Sequence, residues 1–200
     1  MLEATDLECE RGGRTLFGGL AFSLAGGELL RVSGPNGSGK TSLLRILCGL
    51  LTPTRGEVRW KGEPIARLRE EFTRELIYMG HAPAVKDDLT PAENLEIACR
   101  LAGLSPTSEA LQAALAAFSV PGLPVRKLSQ GQRRRSALAR LVLSAAAPLW
   151  LLDEPFAALD VSAAAFVDEL VRSHVGRGGA VVYTTHQATG IDAAARVVEL

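Results

Sequence analysis

No stretch of this chain can cross a bilayer as a helix. The longest apolar run, Leu141–Leu152, falls short of the roughly 20 residues that a span needs and contains Pro148. The N-terminus, Met1-Leu2-Glu3-Ala4-Thr5-Asp6, is acidic and lacks the apolar core of a signal peptide. A soluble, cytoplasmic chain is expected, with any membrane role supplied by a partner. Charge of one sign is not in excess either. Lys+Arg and Asp+Glu each number 22, so nothing marks a nucleic-acid partner. Cysteine is scarce. Cys9, Cys48 and Cys99 lie far apart with no C-x-x-C pair, and read as buried small side chains in a reducing compartment. Internal repeats, low-complexity tracts and long linkers are absent. Two hundred residues, 47% of them hydrophobic, then make one domain over 1–200 with an ample core and room for an inserted lobe.

What is present begins at residue 34. Gly34-Pro35-Asn36-Gly37-Ser38-Gly39-Lys40-Thr41 is a complete phosphate-binding loop of the pattern G-x-x-x-x-G-K-[ST]. A triphosphate needs many aimed donors, and the glycines let backbone N–H groups turn inward on it. Lys40 reaches the β/γ oxygens as a point charge, and the Thr41 hydroxyl can ligate Mg²⁺. Leu29–Ser33 reads as a strand entering the loop. Residues 40–50 read as a helix leaving it, with Leu43, Leu44, Ile46, Leu47 and Leu50 on one face. Its positive N-terminal end acts on the same anion.

Around the loop, residues 1–33 alternate apolar and polar positions between Gly-rich turns at 12–13, 18–19 and 26–27, which predicts short antiparallel strands. Glu57–Trp60 predicts another. From about 85 to 145 the pattern is helical and Ala/Leu-rich, as in an inserted helical lobe. Then a strand at 149–152, a helix near 161–174 and a strand at 180–184 follow. The fold class is α/β: a nucleotide-binding core, a small β part in front, and a helical lobe inside.

Leu149–Leu152 ends in Asp153-Glu154. A buried strand ending in Asp presents that carboxylate toward a loop-bound Mg²⁺. Glu154 can take a proton from an attacking water or orient it. Ser129 and Gln132, within Leu128-Ser129-Gln130-Gly131-Gln132, have capping-box spacing, so a helix starts here. Ala137, Leu138, Leu141 and Val142 form its buried stripe. Ser129 and Gly131 at this N-terminus make a second anion site. It belongs to the lobe and is too distant for its own loop, so a twofold head-to-tail dimer is the economical way to use it. Arg133-Arg134-Arg135 reads as a solvated face of that helix.

Residues 34–41, 128–132, 149–154, Ala158-Leu159-Asp160 and His186 occur in the order and spacing of the ATP-binding cassette of ABC transporters, and the resemblance covers essentially the whole chain. It implies an ATPase with the P-loop core of the ABC cassette type, a small antiparallel β subdomain and an inserted helical subdomain. By match, Glu154 and His186 are catalytic, and His186 holds the γ-phosphate and attacking water. Ser129 and Gly131 contact the nucleotide of the opposite subunit, and Asp160 couples the two sites. Thr41 and Asp153 serve Mg²⁺. Implied partners are a second cassette and integral membrane subunits, which place the chain on the cytoplasmic face of the inner membrane. Arg14–Phe17, Tyr78–His81, Leu89–Leu95 and Pro148–Trp150 look like the haem-exporter ATP-binding subunits of cytochrome c maturation, implying indirect contact with haem-handling proteins. A transport ATPase for another substrate and a soluble cassette clamp stay open as alternatives.

Two departures stand out. No glutamine lies between Lys40 and Gln112, where the family has one touching Mg²⁺. His81 falls at that position with Ala82 beside it. Imidazole is a poor Mg²⁺ ligand, so His81 is read as a loop histidine facing the membrane partner. The aromatic that stacks on adenine is also missing, and Arg11 lies about where it belongs. Its guanidinium plane can stack on a base with less selectivity.

Overall fold

The computed structural model describes residues 1–200. Strands β1 (Leu2–Arg11) and β2 (Arg14–Leu24) form a hairpin, β3 (Leu29–Ser33) follows, and helix α1 (Lys40–Leu47) leaves the loop. Next come β4 (Arg55–Trp60), β5 (Glu63–Pro64), the short helices α2 (Ile65–Leu68) and α3 (Glu70–Arg74), and β6 (Leu76–Met79). Helices α4 (Pro91–Leu101), α5 (Ser108–Ala117), α6 (Gln130–Leu138) and α7 (Arg140–Leu143) precede β7 (Leu149–Leu152). The chain closes with α8 (Val161–Gly176), β8 (Ala180–Thr184) and β9 (Arg196–Glu199).

Two sheets result. The first is antiparallel in the order β2-β1-β4-β5, and the second runs β6-β7-β8-β3-β9 with parallel pairings. Apart from the largely exposed edge strand β9, both faces of the parallel sheet are buried, and alternation sorts its side chains. Leu30, Val32, Leu149, Leu151, Ala180 and Val182 join α1 and the antiparallel sheet in one core. Leu29, Trp150, Leu152, Val181 and Tyr183 join α8 and the lobe helices in the other. Each such large side chain contributes about 1.5–3 kcal/mol on burial, so a one-residue slip, which would exchange the two sets, is strongly disfavoured.

The first 33 residues depart from the sequence expectation in two ways. Gly18-Gly19 is not a turn: it lies inside β2, where the pairing steps from Leu7↔Leu20 to Cys9↔Phe17 and the extra residue bulges. Asp6, at φ 50°, does the same in β1. The buried set there jumps from Leu2 and Ala4 to Leu7 and Cys9, a phase change that strict alternation hides. In addition, β3 pairs in parallel with β8 and β9 rather than within the hairpin sheet. No helix is long and apolar enough to cross a membrane.

Candidate active site

The site lies where β3, β7 and β8 end at neighbouring positions of the parallel sheet. Residues 34–39 follow β3 and turn into α1. Gly39 sits at the helix N-cap at φ 106°, with no side chain capping the first turn. A Cβ there would come within 3.0–3.1 Å of Leu16 and Phe17, so the left-handed backbone and the close approach of β2 both require glycine. The uncapped first-turn N–H groups face the loop, where an anion is favoured. Lys40, only 8% exposed, donates from Nζ to the carbonyl oxygens of Gly34 at 2.8 Å and Pro35 at 3.0 Å. The ammonium is thereby folded back over the loop. Ser38 N donates to Pro35 O across the turn.

Opposite the loop, β7 delivers Asp153, which is 1% exposed. Each carboxylate oxygen accepts one hydroxyl: Oδ2 from Thr41 at 2.8 Å and Oδ1 from Thr184 at 2.9 Å. Two strand ends and one helix start thus converge on one carboxylate. Thr41 and Asp153 together offer hard oxygen donors at the mouth of the loop. That set suits Mg²⁺, which takes few protein ligands and completes its shell from phosphate and water.

Glu154 follows in the left-handed conformation at φ 53°, a strained state for a residue with a side chain. Its N–H donates to Thr184 Oγ1 at 2.9 Å. Oε2 accepts from the His186 N–H at 3.3 Å, and Oε1 lies 3.5 Å from His186 Nε2. Oε1 is buried and accepts no hydrogen bond from the protein, its nearest polar neighbour being the His186 imidazole. Glu154 and His186 therefore meet at the ends of adjacent strands, beside the Asp153–Thr41 pair.

Ser129 and Gly131 lie elsewhere. Ser129 caps α6 through a complete capping box, with Gln132 N donating to Ser129 Oγ at 3.2 Å and Ser129 N to Gln132 Oε1 at 2.9 Å. Neither residue hydrogen-bonds to the loop at 34–41. A Cβ on Gly131 would sit 2.8 Å from the Ala158 carbonyl oxygen, so glycine lets α6 close on the segment after Glu154. Asp160 caps α8 by accepting from Ala163 N at 2.8 Å and pairs with Arg135 at 3.4 Å. His81 and Arg11 are exposed, and neither side chain makes a hydrogen bond. Arg11 ends β1 opposite Arg14.

The arginine run corrects the sequence expectation of a solvated face. Arg133 pairs with Asp87 at 3.0 Å, Arg135 with Asp160, and Arg134 is 3% exposed. Arg134 donates to four carbonyl oxygens: Gly80 at 2.9 Å, His81 at 3.0 Å, Asp153 at 2.8 Å and Glu154 at 2.7 Å. Burial pushes its pKa down, while the charges of Asp153 and Glu154 oppose that shift. Thr184 and Arg134 are the site residues that sequence reasoning passed over. Thr184 carried only the signal of a polar residue at a strand end. Arg134 carried none, because its partners are backbone oxygens of two distant loops.

The family model described as "ABC transporter" matches residues 17–157. The cytochrome c biogenesis ATP-binding export protein CcmA of Aromatoleum aromaticum is 54% identical over 190 residues, covering 94% of this chain and 89% of that protein. The protein of the same name from Dechloromonas aromatica is 51% identical over 196 residues, with 96% of each chain covered. Among solved structures, a dimeric bacterial ABC transporter cassette matches with TM-score 0.84 at 25% identity, covering all of this chain and 94% of that one.

Proposed function

The chain belongs to the ABC transporter family, and we propose that it is the ATP-hydrolysing subunit that drives haem export or release for cytochrome c maturation. The observation that carries the hydrolytic part is the Glu154 carboxylate. It stands beside His186 and the Thr41–Asp153 pair. The near full-length similarity to cytochrome c biogenesis export proteins supports the haem part.

The loop N–H groups, the start of α1 and Lys40 bind and neutralise the β- and γ-phosphates. Phosphoryl transfer asks mainly for positioning and charge. Thr41 Oγ1 and Asp153 are the residues that would hold Mg²⁺, which would supply charge neutralisation to the phosphates. Glu154 Oε1 takes the proton of the attacking water. His186, beside Glu154, is the residue to meet the γ-phosphate and steady that water. Ser129 and Gly131 close the nucleotide site of a second copy, Asp160 relates the two sites across the interface, and the products repel, so that the dimer opens. Residues 1–200 act as one nucleotide-binding domain, with the helices between 85 and 145 as its lobe.

Between α3, the stretch after β6, α4 and α7 lies an open groove of about 680 Å³. Ile97 and Leu101 line it, and Leu101 is 85% exposed. This face suits integral membrane subunits, which would hold the chain on the cytoplasmic side of the inner membrane.

The test is to purify a tagged Glu154→Gln variant from native membranes in Mg-ATP. ATP should bind, turnover should stop, and membrane subunits of cytochrome maturation should copurify with a haem absorbance band. Turnover at the parental rate would remove Glu154 as the base. A different permease without haem would keep the ATPase and discard the substrate.

A further inference from the structure

Arg134 presents an unusual arrangement for a charged residue in a helix. Its guanidinium is buried, and its four hydrogen bonds go to carbonyl oxygens rather than to a carboxylate. Two come from Gly80 and His81, after β6, and two from Asp153 and Glu154, after β7. Burying such a charge is costly unless its donors are used; both terminal nitrogens are, each on two carbonyls, while Nε has no partner. Here the planar fork spans two loops at once, which a point charge on a flexible stem cannot do.

The residue that receives the shortest of these bonds, Glu154, is held at φ 53°. A left-handed non-glycine residue persists only where its surroundings over-determine it. Three groups hold the Glu154 backbone: Thr184 on its N–H, and Arg134 and the Ala157 N–H on its carbonyl. Arg134 also lies on the helix that Ser129 caps. A shift of that helix therefore acts on the Glu154 backbone through two hydrogen-bonded carbonyls.

We infer that Arg134 is a positioning residue for hydrolysis. It fixes the backbone that aims the Glu154 carboxylate, and it ties that carboxylate to the seat of α6 and to the His81 loop. The inference rests on the reading of Glu154 as the base. Arg134 makes no hydrogen bond to residues 34–41; its one link toward them is the Asp153 carbonyl, and the Asp153 carboxylate is fixed separately by Thr41 and Thr184.

The experiment compares Arg134→Met and Arg134→Lys with the parent in the complete membrane complex, measuring ATP affinity and kcat separately. A misaimed group costs on the order of 100-fold in rate, so kcat should fall by about that much in Arg134→Met. ATP affinity should stay within about twofold of the parent. Arg134→Lys keeps the charge and should resemble Arg134→Met, because one ammonium cannot serve both loops. Parental kcat in either variant overturns the inference. So does a parallel loss of affinity and kcat, which would mean a merely structural role. If Arg134→Met does not fold, Arg134→Lys alone decides. Glu154→Gln in the same assay keeps the two ideas apart: continued turnover there removes the base, whereas continued turnover in the Arg134 variants removes only its positioning.

Discussion

Side chains of one chemical type meet different fates here because backbone geometry decides what each can reach. Arg133, Arg134 and Arg135 are consecutive, yet one pairs with Asp87, one is buried against carbonyls and one meets Asp160. Histidine shows the same divergence. His186 is exposed beside Glu154, whereas His174 is buried and stacked on Trp150 with ring centroids 3.9 Å apart. Burial, and then the nearby Arg177, push the His174 pKa from its ordinary 6.5 down to about 4. Between those values the unfolded chain holds a proton that the folded chain does not. Stability is therefore full above pH 6.5 and falls as pH drops toward 4, by up to about 3 kcal/mol. Urea unfolding across that range should show the slope. His174→Leu should lower stability through lost packing but flatten the contribution. A slope unchanged in the variant would assign the acid sensitivity to other groups. The loop residues from Gly34 to Thr41 and the Asp153-Glu154 pair were legible in the sequence because their chemistry is written in adjacent residues. Thr184 and Arg134 were not, because they act on atoms more than 15 residues away.

At the level of elements, legibility follows from locality. The helix start at Ser129 could be read because a capping box spans four consecutive residues, and Ala180–Thr184 because β-branched runs favour strands. By contrast, β6 and β9 are four residues each and gain their pairing only from β7 and β3. The Gly18-Gly19 bulge looked like a turn because glycine permits both. The helix at Ser129 also ends sooner than its apolar stripe. It breaks at Ala139, and Leu141 belongs to α7. A consequence at this scale concerns Gly131. Its missing side chain already serves contact inside one subunit, 2.8 Å from the Ala158 oxygen. Gly131→Ala must push α6 away from that segment and should cost about 1–3 kcal/mol of stability in the isolated chain. Thermal unfolding without nucleotide measures this. An unshifted melting temperature would mean that the contact relaxes freely and that glycine is there for another molecule alone.

For the whole molecule, the positions of the two helix ends proposed to bind phosphate pose a question of symmetry. The start of α1 belongs to the loop at 34–41, and the start of α6 sits in the lobe with no hydrogen bond to that loop. If both act on one nucleotide, as we propose, they come from different copies, because a twofold axis creates two equivalent composite sites. The prediction separates this from action within one chain. Lys40→Ala removes the charge over the loop, and Ser129→Arg blocks the start of α6. Complexes built from either variant alone contain no intact composite site and should not turn over. When the two are coexpressed in equal amounts, half of the dimers are mixed. Each mixed dimer joins the good loop of one copy to the good Ser129 of the other, so it holds one intact site. Coexpression should then restore about a quarter of the parental ATPase rate if the sites act independently. Strict coupling between sites would lower that figure, and the shortfall would measure the coupling assigned to Asp160. If the two residues act within a single chain, each copy carries one lesion in its own site, and mixing restores nothing. Turnover by pure Ser129→Arg complexes at the parental rate would show instead that the start of α6 takes no part in hydrolysis.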